Sequence, residues 1–224
     1  MAPSILAATR RLPDTARRGR AIHPEQGLQD IVAEKKALRA LARARRAAAG
    51  AEAAARASAE ACAALLARFS PAPAEAVSGY WPMGGELDLR PALHGFAATG
   101  ARVLLPVVVA RDAPLAFRRW LPGDALVPAG FGTSVPDPSL PEGTPDILLV
   151  PLLAFDARGF RLGHGGGYYD RTIAALRGSG RPVRAVGVAF ACQEMERVPV
   201  EDFDQRLDAV ATERGLRAFA GGVA

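Results

Sequence analysis

Two unbroken apolar runs, Val103–Val109 and Ile147–Leu153, constrain this chain more than anything else in it. A strand with one wet face alternates apolar and polar side chains. A run that is apolar throughout fits a strand covered on both faces, as in parallel sheets packed between helices. The surrounding pattern agrees. Val77–Tyr80 reads as a short strand, Leu89–Thr99 as a helix closed by Gly100, and Leu115–Trp120 as a further strand. Tyr169–Arg177 reads as a helix, Val183–Phe190 as a strand and Ala209–Thr212 as a last one. Ahead of these, Ile31, Leu38 and Leu41 recur at helical spacing behind Asp30, a candidate N-cap. Gly50 interrupts, and a second helix is expected over Glu52–Phe69 before Pro71 and Pro73 stop it. Residues 122–145, rich in Pro and Gly, read as a long loop. The fold class expected is α/β: a single three-layer domain whose mainly parallel sheet carries helices on both faces.

Half of the 224 residues are hydrophobic and 23% are charged, which suits a sizeable core. The net charge of +5 favours anionic partners. Residues 1–28, however, hold Arg10, Arg11, Arg17, Arg18 and Arg20 against only Asp14 and Glu25, and the remainder is nearly balanced. That segment lacks periodicity and is expected to be a flexible Arg-rich extension ahead of a domain over 29–224. Cys62 and Cys192 lie far apart, which gives neither a disulfide framework nor a zinc site and fits a reducing cytoplasm. No apolar run approaches the ~18 residues of a membrane span. No apolar core of a secretory signal is present either.

The chemistry concentrates after the second apolar run. Asp146–Asp156 leads through Ala157-Arg158-Gly159-Phe160 to Arg161-Leu-Gly-His-Gly-Gly-Gly-Tyr-Tyr-Asp-Arg171. In an open α/β sheet, ligands bind at the carboxyl ends of strands. Gly163, Gly165, Gly166 and Gly167 let the backbone approach a phosphate, and the following helix offers unpaired N–H groups to an anion. Arg161, His164 and Arg171 add positive charge, and Asp170 is an oxygen ligand suited to Mg²⁺. No Gly-Lys-Ser/Thr follows the glycines, so this is not a Walker A loop, and the spacing is not the dinucleotide fingerprint.

The run Ala154-Phe155-Asp156, Gly159-x-Arg161-Leu162-Gly163-x-Gly165-x-Gly167-Tyr168-Tyr169-Asp170-Arg171 resembles the signature of the 5-formyltetrahydrofolate cyclo-ligase family. The resemblance extends from about residue 30 onwards, through Lys35-Lys-Ala-Leu-Arg39, Gly79-Tyr80-Trp81-Pro82 with Glu86-Leu-Asp88, and Asp204-x-x-Leu207-Asp208 with Thr212-Glu213. It implies that residues 29–224 form a catalytic domain. The implied reaction converts 5-formyltetrahydrofolate and ATP to 5,10-methenyltetrahydrofolate, ADP and phosphate. Phosphorylation of the formyl oxygen and attack by N10 would carry it, with Mg²⁺ as cofactor. It implies ATP binding by Lys35, Arg39, Arg161, Gly163, His164, Gly165, Gly166, Gly167, Tyr168 and Tyr169. Arg161, Tyr168 and Asp170 would act in catalysis, Glu86, Trp120 and Tyr168 would contact the folate, and Asp170 and Asp208 would be magnesium-linked.

His164 and Gly166 depart from relatives that carry an aromatic residue or Arg, and Lys, at these positions. More of the γ-phosphate therefore falls to Arg161 and the backbone. On helical spacing Lys35, Arg39, Arg43 and Arg46 form a basic stripe; Arg43 and Arg46 read as a solvated face. Phe117 beside Trp120 reads equally as slot or core, and His23 and His94 receive no role. The expected partners are 5-formyltetrahydrofolate, with or without a polyglutamate tail, and MgATP, bound by a cytoplasmic monomer without membrane or nucleic acid. Two alternatives stand beside this: a basic nucleic-acid-associated module without ATP turnover, and an ATP enzyme of the same fold with another substrate.

Overall fold

The computed structural model describes residues 24–72 and 75–221. Residues 1–23 and Pro73 lie outside that range. Helix α1 spans Pro24–Ala47 and α2 spans Ala51–Arg68. Helix α1 therefore opens at a proline, whose fixed φ and missing N–H suit a first turn. This corrects two expectations: Asp30 sits inside the helix rather than capping it, and the boundary at residue 28 falls within a helix.

The chain then alternates. Strands β1 (Ala76–Ser78) and β2 (Arg102–Val107) flank α3 (Arg90–Ala98), and β3 (Ala116–Arg119) returns beside β2. The stretch expected as loop contains a hairpin, β4 (Leu126–Pro128) and β5 (Ser134–Pro136). Next come β6 (Ile147–Pro151) and the small hairpin β7 (Ala154–Phe155) and β8 (Arg161–Leu162). Helix α4 (Tyr168–Gly178), β9 (Arg184–Val188), β10 (Ala209–Thr212) and β11 (Gly215–Ala218) complete the fold.

The main sheet runs β11-β10-β9-β6-β1-β2-β3. Its five central strands are parallel, and only the edges β3 and β11 are antiparallel. Strand β6 explains the continuous apolar run. Ile147 and Leu149 pack with α2 and α3 on one face, while Leu148 and Val150 pack with Ile173 of α4 on the other. All four are fully buried, each side chain contributing about 1.5–3 kcal/mol of transfer free energy. The single-domain α/β fold with helices on both faces is thus as expected.

The chain winds from β1 to one side through α3 and β2, and from β6 to the other through α4 and β9. Strand order reverses between β1 and β6. That switch point opens a crevice at the carboxyl ends of these two strands. Helix α1 packs at this end, with Leu38 and Ala42 against Leu153, Ala154, Leu162, Met195 and Val198. Its buried face differs from the expected one: Leu41 is 46% exposed, whereas Lys35 is buried. No described helix is long and apolar enough to cross a membrane.

Candidate active site

The glycine loop is positioned from below by Asp156, whose side chain is fully buried. Its Oδ1 accepts from the N–H of Arg158 at 2.9 Å and of Phe160 at 3.2 Å, and its Oδ2 from Val198 N–H at 3.0 Å. These bonds shape the β7–β8 turn. Past β8 the backbone enters the loop Gly163–Gly167. Gly165 has φ +112° and Gly167 has φ +65°, both in the left-handed region. A Cβ at 167 would also sit 2.8 Å from Arg171 Nη1. Among the described residues, the N–H groups of His164, Gly165 and Gly166 have no acceptor within the chain. With the first turn of α4 they form a row of free donors.

Three connections fix this loop in the crevice. Arg39 Nε donates to Gly163 O at 3.0 Å, and its guanidinium lies alongside Gly165. His164 Nε2 sits 3.1 Å from Glu86 Oε1. Arg171 Nη2 donates to Gly166 O at 2.5 Å. The loop therefore faces both α1 and Glu86. The Glu86 carboxylate is only 4% exposed, and its Oε2 accepts from Met83 N–H at 3.0 Å, so it is no loose turn carboxylate. Arg46 Nη2 donates to Gly84 O at 2.7 Å and ties the Glu86 turn to α1. Arg46 thus belongs to the site's frame rather than to a solvated face. The signal available was its helical phase, shared with Lys35 and Arg39. With these cations turned inward, the basic stripe needed by a nucleic-acid module is largely spent.

Two cations assigned to phosphate already carry internal partners. Lys35 Nζ donates to Glu201 Oε2 and Asp204 Oδ2, each at 2.6 Å. Burial pushes its pKa down, but hydrogen bonds and attraction from Asp204 and Glu201 outweigh this and leave it raised. An ammonium has three donors, so one proton remains for a ligand. Arg161 is 3% exposed at its side chain. Its Nη2 donates to Asp170 Oδ1 at 2.8 Å and its Nη1 to Gln205 O at 2.5 Å. Asp170 Oδ1 also accepts from Gln205 N–H at 2.9 Å. Glu201, Asp204 and Gln205, of which the sequence marked only Asp204 and gave it no role, lock the 201–205 turn against α1 and α4.

Tyr168 opens α4 with Arg171 over its ring at 5.3 Å. The Tyr169 hydroxyl is pushed well above its ordinary pKa by burial first and Glu86 second, so it stays protonated. Trp120 does not line the crevice. It is 2% exposed, stacked edge-on by Trp81 at 5.8 Å and His94 at 5.4 Å, so its expected folate contact becomes core packing. Phe117 is core as well.

Asp208 lies elsewhere. Its carboxylate accepts from Ala185 N–H at 2.7 Å and from Arg177 Nη2 at 3.0 Å. Arg177 is in the last turn of α4, while Asp170 is in the first. Seven residues of helix separate them by about 10 Å. Asp208 borders a groove of about 490 Å³ with Arg177, Arg181 and Arg206 at the amino end of the sheet, remote from the glycine loop. Asp170 and Asp208 therefore do not converge on one ion. Among the described residues, no three His, Cys, Asp or Glu side chains gather in metal-binding geometry. The expected pair of Asp170 and Asp208 therefore does not fit one Mg²⁺.

A parallel sheet with a glycine turn of free amides at its switch point defines an α/β protein whose crevice lies where such sheets bind ligands. Residues 31–213 match the family model described as the 5-formyltetrahydrofolate cyclo-ligase family, and the chain belongs to that family. The 5-formyltetrahydrofolate cyclo-ligase of Escherichia coli strain K12 is 37% identical over 144 residues, 62% of this chain and 78% of that protein. That of Mycolicibacterium smegmatis is 37% identical over 153 residues, 64% and 76% of the two chains. The solved 5,10-methenyltetrahydrofolate synthetase of Aquifex aeolicus superposes with a TM-score of 0.68 at 30% identity, covering 85% of this chain and 95% of that one.

Proposed function

We propose that this chain cyclises 5-formyltetrahydrofolate to 5,10-methenyltetrahydrofolate at the expense of ATP. The observation that carries the reading is the placement of the glycine loop between Arg39 of α1 and the buried Glu86, at 3.0 Å and 3.1 Å. One crevice can then hold a polyphosphate on the loop amides and a second ligand against Glu86. A formamide oxygen is a poor leaving group. Transfer of the γ-phosphoryl group to it converts it into a phosphate ester, N10 attacks the formyl carbon, and phosphate departs with that oxygen. The protein's part is alignment and charge neutralisation. The amides of His164–Gly166 and Arg39 would hold the phosphates, while Arg161 and Asp170 fix the first turn of α4. Glu86 would accept hydrogen bonds from the pterin, displacing His164. Tyr168, half-buried at the mouth of the loop, would pack against the substrate. No thiol is needed: burial pushes Cys62 up to about 11, so it is unionised at neutral pH.

The test is incubation of the full chain with 5-formyltetrahydrofolate and MgATP, following methenyl absorbance and ADP together. Equal formation of both is expected. ADP formation without methenyl product would leave the fold and nucleotide site but reject the folate substrate. Neither product from folded protein would reject the reading. A monomer is expected in solution, and sedimentation checks it.

A further inference from the structure

The 201–205 turn carries an exposed aromatic ring on an unusually well-fixed backbone. Phe203 is 61% exposed. Its neighbours are all tied down: Glu201 N–H donates to Asp204 Oδ2 at 2.9 Å, and Asp204 N–H to Glu201 O at 3.0 Å. Gln205 N–H donates to Asp170 Oδ1 at 2.9 Å, and Lys35 clamps both carboxylates of the turn. The Lys35 ammonium lies 5.7 Å from the ring centroid. The turn beneath the ring is thus held by side chains of α1 and α4, the helices on which Arg39 and Arg171 hold the glycine loop. Along α1, Lys35 and Arg39 stand one helical turn apart, about 6 Å. Lys35 sits beside Phe203 and Arg39 beside Gly163 and Gly165. A track runs from free amides, past Arg39, to an exposed ring beside the neutralised Lys35. Anion at one end and flat aromatic surface at the other is the chemistry of a nucleotide, phosphates first and base last.

We propose that Phe203 is the base-stacking residue of this site, recognising the purine ring of ATP and ADP. The inference rests on the ATP reading above and extends it to a residue outside the glycine motif. Stacking is effective here because the backbone beneath the ring is already fixed, so binding the base orders little of the chain. Base–aromatic stacking on a side chain, lost on truncation, corresponds to about a 5- to 100-fold change in affinity.

The experiment is calorimetric titration of the full chain with ADP and, separately, inorganic tripolyphosphate, which has charge but no base. For Phe203→Ala the expected result is a 5- to 100-fold weaker Kd for ADP with tripolyphosphate unchanged, and Phe203→Trp should restore ADP binding. The unchanged tripolyphosphate also shows that the variant is folded. Unaltered ADP affinity in Phe203→Ala overturns the proposal. Equal weakening of both ligands overturns it too, because the ring would then act only by holding Lys35. If the unsubstituted chain binds neither ligand, it is the ATP reading itself that fails.

Discussion

Lys35→Met separates two roles that the site gives to one ammonium. As a phosphate ligand alone, Lys35 would be lost without consequence for the fold. As a clamp, its removal leaves Glu201 and Asp204 facing each other with no cation. Breaking a buried ion pair by deleting one partner costs about 3–5 kcal/mol. Glu201 and Asp204 keep 16% and 12% of their side chains exposed, so water relieves part of that, and about 3 kcal/mol is the working figure. For a chain of this size each kcal/mol moves Tm by about 2–4 °C, which gives a fall of about 6–12 °C. The pH dependence adds a second signature. In the intact protein the Lys35 pKa is raised above its usual 10.5, so its stabilising contribution is complete below that pH and is lost as pH climbs through the folded value. The assay is urea and thermal unfolding by circular dichroism from pH 4 to 10. Adding Glu201→Gln and Asp204→Asn should recover most of the loss. A single variant within about 0.5 kcal/mol of wild type at pH 7 would refute the clamp.

Two further outcomes follow from the same geometry. Arg161→Ala leaves Asp170 and Gln205 O without their guanidinium, so it should lower stability by about 3 kcal/mol as well as turnover, measured by unfolding and methenyl absorbance. Wild-type melting of the variant would contradict it. Cys62→Ala and Cys192→Ala should each stay active, since Cys62 is a buried thiol donating to Asp88 O and Cys192 has its pKa raised, first by burial; inactivity of both would implicate thiol chemistry.

The central strands were legible because both faces of the sheet are covered, which writes their burial into every position. The hairpins β4–β5 and β7–β8 were not, since two- and three-residue strands carry no period and are fixed by partners distant in sequence. The glycine loop was legible as a ligand turn because strand, glycines and helix are contiguous. What sequence could not give was the pairing of charges. Lys35 and Glu201 are 166 residues apart, and Arg46 and Gly84 meet only because α1 lies across the sheet's carboxyl end. A motif read alone makes each cation look available. Trp120 and Asp208 failed for the complementary reason: their residue types suit a ligand, but β3 places the indole in the core, and β10 begins at the far end of the sheet.

This pairing changes what must attract the phosphates. Lys35 and Arg161 together face Glu201, Asp204 and Asp170, two positive charges against three negative ones. A triphosphate brought to that cluster would meet a field of its own sign. On the proposed reading, the attraction comes from the loop's N–H groups, the start of α4 and Arg39, whose acceptor among the described residues is the carbonyl of Gly163. Glycine at 166 fits this arrangement. A Cβ there would lie 2.8 Å from the Tyr168 ring, so a side chain could enter only by pushing the tyrosine aside. With glycine, the ring stays closed over the turn and the amides are left open to a ligand.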